Sequence, residues 1–284
     1  MHKIILDTDI GTDVDDALAL AVLLGSNRVD LLGITTVYGD PKLRSQIAMH
    51  LCELAGATVQ TFAGESQPIS GREAWMSGNE GKNYENLNRY KPQDEKAVDY
   101  LVESINSNPH EIEIVAIGPL TNIARAIQVS NDFAQNVKNI WIMGGDFTQS
   151  RVEHNFKCDI EAARIVLESS IPISILDLPS SQKTIIRDKE IDEISKAPHL
   201  GELLYSEIMS WIQPRGQNWT IPHDPIAVLA LLNPEFFETS RAGRVTIDTD
   251  GFSFWEEAKT GNVVLLNPIQ PELAVKKMIE LITN

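Results

Sequence analysis

Ile4-Ile5-Leu6-Asp7-Thr8-Asp9-Ile10-Gly11-Thr12-Asp13-Val14-Asp15-Asp16-Ala17-Leu18-Ala19-Leu20 lies near the start of the chain. A short apolar run that reads as a buried strand passes into five carboxylates within ten residues, then into an alanine- and leucine-rich run with helical spacing. Acids this close raise one another's proton affinity unless a cation neutralises them. A hard divalent ion, Ca²⁺ or Mg²⁺, takes carboxylate oxygens and leaves positions for water. Gly11 suits a loop that gathers its acids towards one point, because glycine takes positive φ without steric cost. A helix cap from Asp13, with Asp15 and Asp16 complementing the helix dipole, accounts for one or two of the acids and hardly for all five.

Outward from this stretch, apolar β-rich runs alternate with helical patterns. Strands are expected at Ile4 to Leu6, Leu31 to Val37, Val59 to Phe62, Ile112 to Ile117, Ile140 to Met143, Ile171 to Leu176, Arg244 to Ile247 and Val263 to Leu266. Helices are expected at Asp15 to Leu24, Pro41 to Ala55, Glu95 to Ile105, Leu120 to Ile127, Asp159 to Leu167, Gly201 to Ile212, Asp224 to Leu232 and Pro271 to Ile282. The alternation predicts an α/β chain with a Rossmann-like, open, mostly parallel sheet covered by helices on both faces, and one domain over 1–284.

The 284 residues, 43% of them hydrophobic, are enough to fill one large core. A net charge of −16 argues against nucleic acid as a partner. Two cysteines, Cys52 and Cys158, make no disulfide framework and suit a reducing compartment. Met1-His2-Lys3 runs straight into the first strand and no apolar run reaches membrane length, so a cytoplasmic chain with neither signal peptide nor membrane partner is expected. The polar run from Gly64 to Asp94, with Trp75 and Tyr84 inside it, has the length of a functional lid. Gln213 to Pro222 is a second irregular stretch, and either of its flanking tryptophans, Trp211 or Trp219, can face a ring-shaped ligand or pack in the core.

In open α/β sheets ligands sit beyond the carboxyl ends of the strands. There the chain places Asp7 and Asp9, then Tyr38-Gly39-Asp40, Ile117-Gly118-Pro119-Leu120-Thr121-Asn122 and Met143-Gly144-Gly145-Asp146. Glu153-His154-Asn155 precedes a helix that Asp159 is expected to cap, and offers a carboxylate and an amide suited to vicinal hydroxyls. His223-Asp224-Pro225 opens the apolar helix up to Leu232 and adds a distal carboxylate beside a titratable imidazole.

Taken in order, Asp7-Thr8-Asp9-Ile10-Gly11 closing with Asp15-Asp16-Ala17, Gly118 to Asn122, Met143-Gly144-Gly145, Glu153-His154-Asn155 and His223-Asp224-Pro225 resemble the nucleoside hydrolases of the inosine-uridine-preferring type, over nearly the whole chain. The resemblance implies hydrolysis of ribonucleosides to base and ribose, with Ca²⁺ as cofactor and a homodimer or homotetramer as the assembly. It implies that Asp9 is a Ca²⁺ ligand and the base towards water, with Asp16, Asp224 and the carbonyl of Ile117 as further ligands. Asp15 would bind the ribose 2′-hydroxyl, with Asp40, Glu153 and Asn155 as further substrate contacts, and Met143 would line the sugar pocket. His223 would sit near the base as candidate general acid. Carboxylates around a sugar stabilise positive charge developing at its anomeric carbon.

Several positions depart from the family pattern. The first loop is two residues longer than the common form, so Asp13 competes with Asp15 and Asp16. Asp40 stands for asparagine, Ile117 for threonine and His154 for phenylalanine. The segment between Met143 and Glu153 is shorter than in the best-known members, and Ser77-Gly78-Asn79-Glu80-Gly81 resembles the family's His-Gly loop without its histidine. Two other readings stay open. One is a nucleoside- or sugar-binding module that has lost turnover. The other is a haloacid-dehalogenase-like Mg²⁺ phosphatase with Asp7 as nucleophile and Asp9 as acid/base, which leaves Asp15-Asp16 and His223-Asp224 idle.

Overall fold

The computed structural model describes residues 1–284. The chain opens with β1 (His2–Thr8), α1 (Asp15–Leu24), β2 (Val29–Thr36), α2 (Pro41–Leu54) and β3 (Thr61–Ala63). It continues with α3 (Ala97–Ser107), β4 (Ile112–Ala116), α4 (Thr121–Val129), α5 (Phe133–Asn136), β5 (Asn139–Met143), α6 (His154–Cys158), α7 (Ile160–Leu167) and β6 (Ile173–Leu176). A helical stretch follows, with α8 (Leu178–Ser181), α9 (Asp188–Ile194), α10 (Gly201–Ile212) and α11 (His223–Leu232), and a small hairpin pairs β7 (Ile186–Arg187) with β8 (Trp219–Thr220). β9 (Phe237–Thr239), β10 (Gly243–Ile247), β11 (Ser253–Glu257), β12 (Val263–Pro268) and α12 (Pro271–Ile282) complete it.

Ten strands form one sheet in the order β11-β10-β12-β6-β5-β4-β1-β2-β3, with β9 beside β12. From β12 to β3 the pairing is parallel, and the antiparallel pairings, β12–β9, β12–β10 and β10–β11, lie at one side. The expected mostly parallel sheet with helices is therefore present. From β1 the chain winds outward through β2 and β3, then returns to β4 on the other flank of β1. The order reverses at β1, which opens a crevice at the carboxyl ends of β1 and β4.

Side-chain alternation builds a core on each face of the sheet. Ile4, Leu6, Val115 and Ile117 belong to the larger apolar cluster, whereas Ile5, Ile114 and Ala116 belong to the other. On the larger cluster's side α1 packs against α11, and α12 covers both. Nine of the ten residues of α1 and nine of the ten of α11 are buried, so neither helix has a polar stripe. Both carry acids at their amino ends, Asp15 and Asp16 on α1 and Asp224 on α11. Their packing brings together carboxylates from the two ends of the sequence.

Asp13 does not cap α1: Val14 occupies that position, and the Asp13 carboxylate accepts only from Val14 N, at 2.5 Å. Asp159 caps α7 as expected, accepting from Ala162 N at 3.2 Å, and also receives Ile69 N, Ser70 N and the Thr121 hydroxyl. Between Gly64 and Asp94 the one helical turn is a 3-10 turn at Leu87–Arg89, yet the segment is tied down. Glu80 accepts from Thr12 Oγ1 at 3.0 Å, and Asn83 Nδ2 donates to Glu207 at 2.8 Å and to Ser210 at 2.9 Å.

Candidate active site

The first loop leaves β1, turns at Gly11 with φ +111° and enters α1. Such a φ strains any residue with a Cβ, so the turn that folds Asp13, Asp15 and Asp16 back over Asp9 depends on glycine there. Gly118 is equally constrained for another reason. A Cβ on it would stand 2.7 Å from Asp9 Oδ1 and 2.9 Å from Asp9 N, so its lack of a side chain lets the chain after β4 lie against Asp9.

These two turns frame a cavity of about 320 Å³, within the range of small-molecule sites. Asp9, Asp13, Asp15, Asp16 and Asp224 line one part of it, and Ile117, Met143, Glu153, Asn155 and His223 line the rest. Of the residues to which the resemblance gives a metal, catalytic or substrate role, Asp40 alone does not line the cavity. It is exposed and its carboxylate accepts Leu43 N at 3.0 Å, which makes it the amino-terminal cap of α2. The residue before a proline at a helix start favours this use of an aspartate. Trp211 reaches the cavity and Trp75 joins it from the long polar segment, while Trp219 is spent on the β7–β8 hairpin.

One oxygen each from Asp15, Asp16 and Asp224 lie within 4.8 Å of one another, and all three residues are buried. Burial and mutual repulsion hold their carboxyls well above the usual carboxylate range, and repulsion from Asp9 adds to this at each of them. Burial also raises Asp9, against the opposing pull of Arg44, and pushes Asp13 up to about 7. No lysine, arginine or histidine forms an ion pair with any of these five acids. A dense set of hard oxygen donors with no protein counter-charge fits a divalent cation. Thr8 Oγ1 donates to Asp16 Oδ1 and fixes that carboxylate from below.

The side of the cavity formed by Glu153 and Asn155 is held by backbone. Glu153 caps α6, with Oε1 accepting Asn155 N at 2.8 Å and Oε2 accepting Phe156 N and Gly145 N at 3.0 and 3.1 Å. Asn155 donates its amide to the carbonyls of Ile117 at 3.0 Å and Met143 at 3.2 Å, leaving Oδ1 free for a hydroxyl. His223, at the start of α11, meets Ser181 Oγ at 2.7 Å through Nδ1, and burial pushes its pKa down to about 4.

Sequence reasoning missed two supports of the site. Arg44 is fully buried, yet it bonds no carboxylate. Its guanidinium donates to the carbonyls of Asp9, Ile10 (3.0 Å) and Tyr38 (2.7 Å) and to Thr12 Oγ1 (3.1 Å), stapling the first loop to the turn after β2. A lone arginine in the polar face of α2 carries no such signal. Ser181, 0% exposed in the four-residue α8, is the other.

An open, mostly parallel α/β sheet with a carboxylate-lined cavity at its switch point is the architecture of an α/β protein that gathers acids where such sheets bind small ligands. Comparison with known proteins sharpens that class. Residues 4–276 match the family model of the inosine-uridine preferring nucleoside hydrolases. The chain is 31% identical over 268 residues to a probable uridine nucleosidase 1 of Oryza sativa subsp. japonica, covering 88% of this chain and 82% of that one. It is 30% identical over 256 residues to a pyrimidine-specific ribonucleoside hydrolase of Escherichia coli, covering 84% and 80%. Among solved structures, a plant nucleoside hydrolase superimposes with a TM-score of 0.88 at 26% identity over 99% of both chains. A purine-preferring ribonucleoside hydrolase from Gardnerella vaginalis shares the fold, with a TM-score of 0.86 at 23% identity over 99% of this chain and 98% of that one. The chain belongs to the inosine-uridine preferring nucleoside hydrolase family and is a nucleoside N-ribohydrolase. The phosphatase reading falls with this membership. No helix is long and apolar enough to cross a membrane.

Proposed function

We propose that this hydrolase cleaves the N-glycosidic bond of ribonucleosides, uridine among them, with Asp9 as the base towards water and Ca²⁺ as its cofactor. One observation carries the reading: Asp15, Asp16 and Asp224 converge beside Asp9 in a cavity that Glu153, Asn155 and His223 also line. Asp16, Asp224, Asp9 and the carbonyl of Ile117 would hold the cation. Bound there, it supplies positive charge that offsets the crowded acids and lowers the proton affinity of the attacking water.

The chain's own groups do the rest. Asp9 takes a proton as the water oxygen bonds to the anomeric carbon. The carbon–nitrogen bond breaks and its electron pair leaves with the base. Asp15 accepts from the ribose 2′-hydroxyl, while Glu153 and Asn155 Oδ1 accept from other hydroxyls, so the sugar is ringed by negative charge as positive charge grows on it. Glu153 can do this without moving, because three backbone N–H groups already fix its carboxylate. His223, kept neutral by burial, serves the leaving base as a hydrogen-bond donor. Met143 packs against the sugar, and Trp75 and Trp211 offer the base apolar surface. The uridine and pyrimidine names of the sequence relatives make uridine the first substrate to try.

The position of Asp15 supports a second reading, in which Asp15 replaces Asp9 among the cation ligands and Asp9 acts on water alone. Calorimetric titration of Ca²⁺ into Asp9→Ala and Asp15→Ala separates the two, since whichever residue is a ligand loses affinity by at least tenfold. The function itself is tested by release of reducing sugar from uridine, inosine and p-nitrophenyl riboside. Free ribose is expected, and binding of these compounds without ribose release would mean a module that has lost turnover.

A further inference from the structure

The chain positions the imidazole of His223 with a residue from outside all the family motifs. Ser181 closes the short helix that follows β6, and its hydroxyl is fully buried. Ser181 Oγ lies 2.7 Å from His223 Nδ1 and 2.9 Å from the carbonyl of Leu178. The serine hydroxyl can donate to the Leu178 carbonyl, but that oxygen also accepts a helical bond from Gln182 N at 3.0 Å and stays paired when the serine proton turns to His223. His223 Nδ1 has no other partner, and Nε2 has none in the protein, while the ring lines the cavity.

A neutral imidazole carries one proton, on either nitrogen, and the partner of one nitrogen decides what the other can do. With the serine hydroxyl donating to Nδ1, the ring proton sits on Nε2 and points at the cavity as a donor. With the hydroxyl turned to Leu178, Nδ1 must carry the proton and Nε2 becomes an acceptor, useless to a departing base with a new electron pair. We infer that Ser181 is a positioning residue for the hydrolysis: its hydroxyl donates to His223 Nδ1, fixing the ring plane and the tautomer that presents Nε2–H to the leaving nucleobase. This rests on the role of His223 proposed above. Preorganised donors of this kind act where negative charge develops in the transition state.

The test is a long-range proton–nitrogen correlation spectrum of the enzyme labelled with ¹⁵N-histidine, the His223 signals being assigned by their loss in His223→Gln. The wild type is expected to show the Nε2–H tautomer, with Nδ1 shifted as a nitrogen that accepts a hydrogen bond. In Ser181→Ala the Nδ1 signal should move towards that of a free acceptor nitrogen. Turnover of uridine by that variant should fall about tenfold in kcat, with KM changed less than about threefold. p-Nitrophenyl riboside, whose leaving group needs no donor, should keep its rate within about threefold. A wild-type spectrum with Nδ1 protonated, as the other tautomer or as the cation, overturns the inference. So does an Nδ1 signal that ignores the substitution, or an equal loss on both substrates. The spectrum needs no substrate, so it decides the role of Ser181 separately from the question of which nucleosides are cleaved.

Discussion

Asp9 is the residue on which most forces converge. Asp15, Asp16 and Asp224 share its cavity, Gly118 presses against its backbone, and Arg44 holds its carbonyl. On the roles proposed for it, Asp9→Ala would remove a base and a cation ligand together, and ribose release should be lost. A variant retaining more than about a tenth of the wild-type rate would contradict that role. His223→Ala should impair inosine and uridine by about a hundredfold and spare p-nitrophenyl riboside, so equal loss on all three would show that leaving-group assistance is not its task. Arg44→Met leaves buried carbonyls of Asp9, Ile10 and Tyr38 without a donor, which should cost about 3 kcal/mol in denaturant unfolding; a cost near zero would mean that the loop holds itself. The acids, Glu153, Asn155 and His223 were legible because their types and order carry the chemistry. Arg44 and Ser181 were not, since each acts through a single tertiary contact that leaves no pattern along the chain. Asp40 has a structural role that the motif order hides: an aspartate before a proline at a helix start is satisfied locally as a cap.

At the scale of elements, α1 and α11 point their amino ends at one cavity, and each helix dipole favours the acids placed there. That help is not enough to keep all of them ionised when no cation is present, because Asp15, Asp16 and Asp224 stand well above the usual carboxylate range and Asp7 and Asp13 near 7. A raised folded-state pKa means the folded chain holds protons that the unfolded chain, with carboxyls near 3.9, has already released. Stability from these groups is therefore lost progressively as the pH climbs from about 4, the unfolded value, through 7 for Asp7 and Asp13 and further for the other three. His223 works in the opposite direction, since its pKa of about 4 lies below the ordinary 6.5, so it weakens the fold as the pH falls from about 6.5 to 4. In chelator, the melting temperature should fall as the pH rises from about 5 to 8, since the one proton of His223 offsets only one of the five acids; a profile still rising from pH 6.5 to 8 would count against the crowded acids. Elements that span several turns were readable from periodicity, as at Asp15–Leu24, Gly201–Ile212 and Pro271–Ile282. Pieces of two to five residues, such as α6, α8, the β7–β8 hairpin and β9, are too short to show a period and form because their neighbours bury them.

For the whole molecule, the strand order makes the site. Reversal at β1 opens the crevice, and the α1–α11 packing closes the sequence distance between Asp16 and Asp224. A cation held by both residues would cross-link the first and last thirds of the chain, so its binding energy should appear in global unfolding and not in a local transition. At a hundred times the dissociation constant the gain is about 2.7 kcal/mol, which for a chain of this size corresponds to a rise of roughly 5 °C in melting temperature. Asp224→Asn gives the argument a sign that simple damage cannot imitate. Without Ca²⁺ it relieves repulsion among buried carboxylates, so the apo variant should melt at or above the apo wild type at pH 8. With Ca²⁺ the order should invert, because the variant has lost a charged ligand and most of the shift. Mg²⁺, which gives up its waters reluctantly and demands near-octahedral geometry, should stabilise the wild type less than Ca²⁺ at equal concentration. If Asp224→Asn melts lower than the wild type in chelator and gains as much from Ca²⁺, the two helices do not share a cation. The meeting of acids from opposite ends of the chain would then need another explanation.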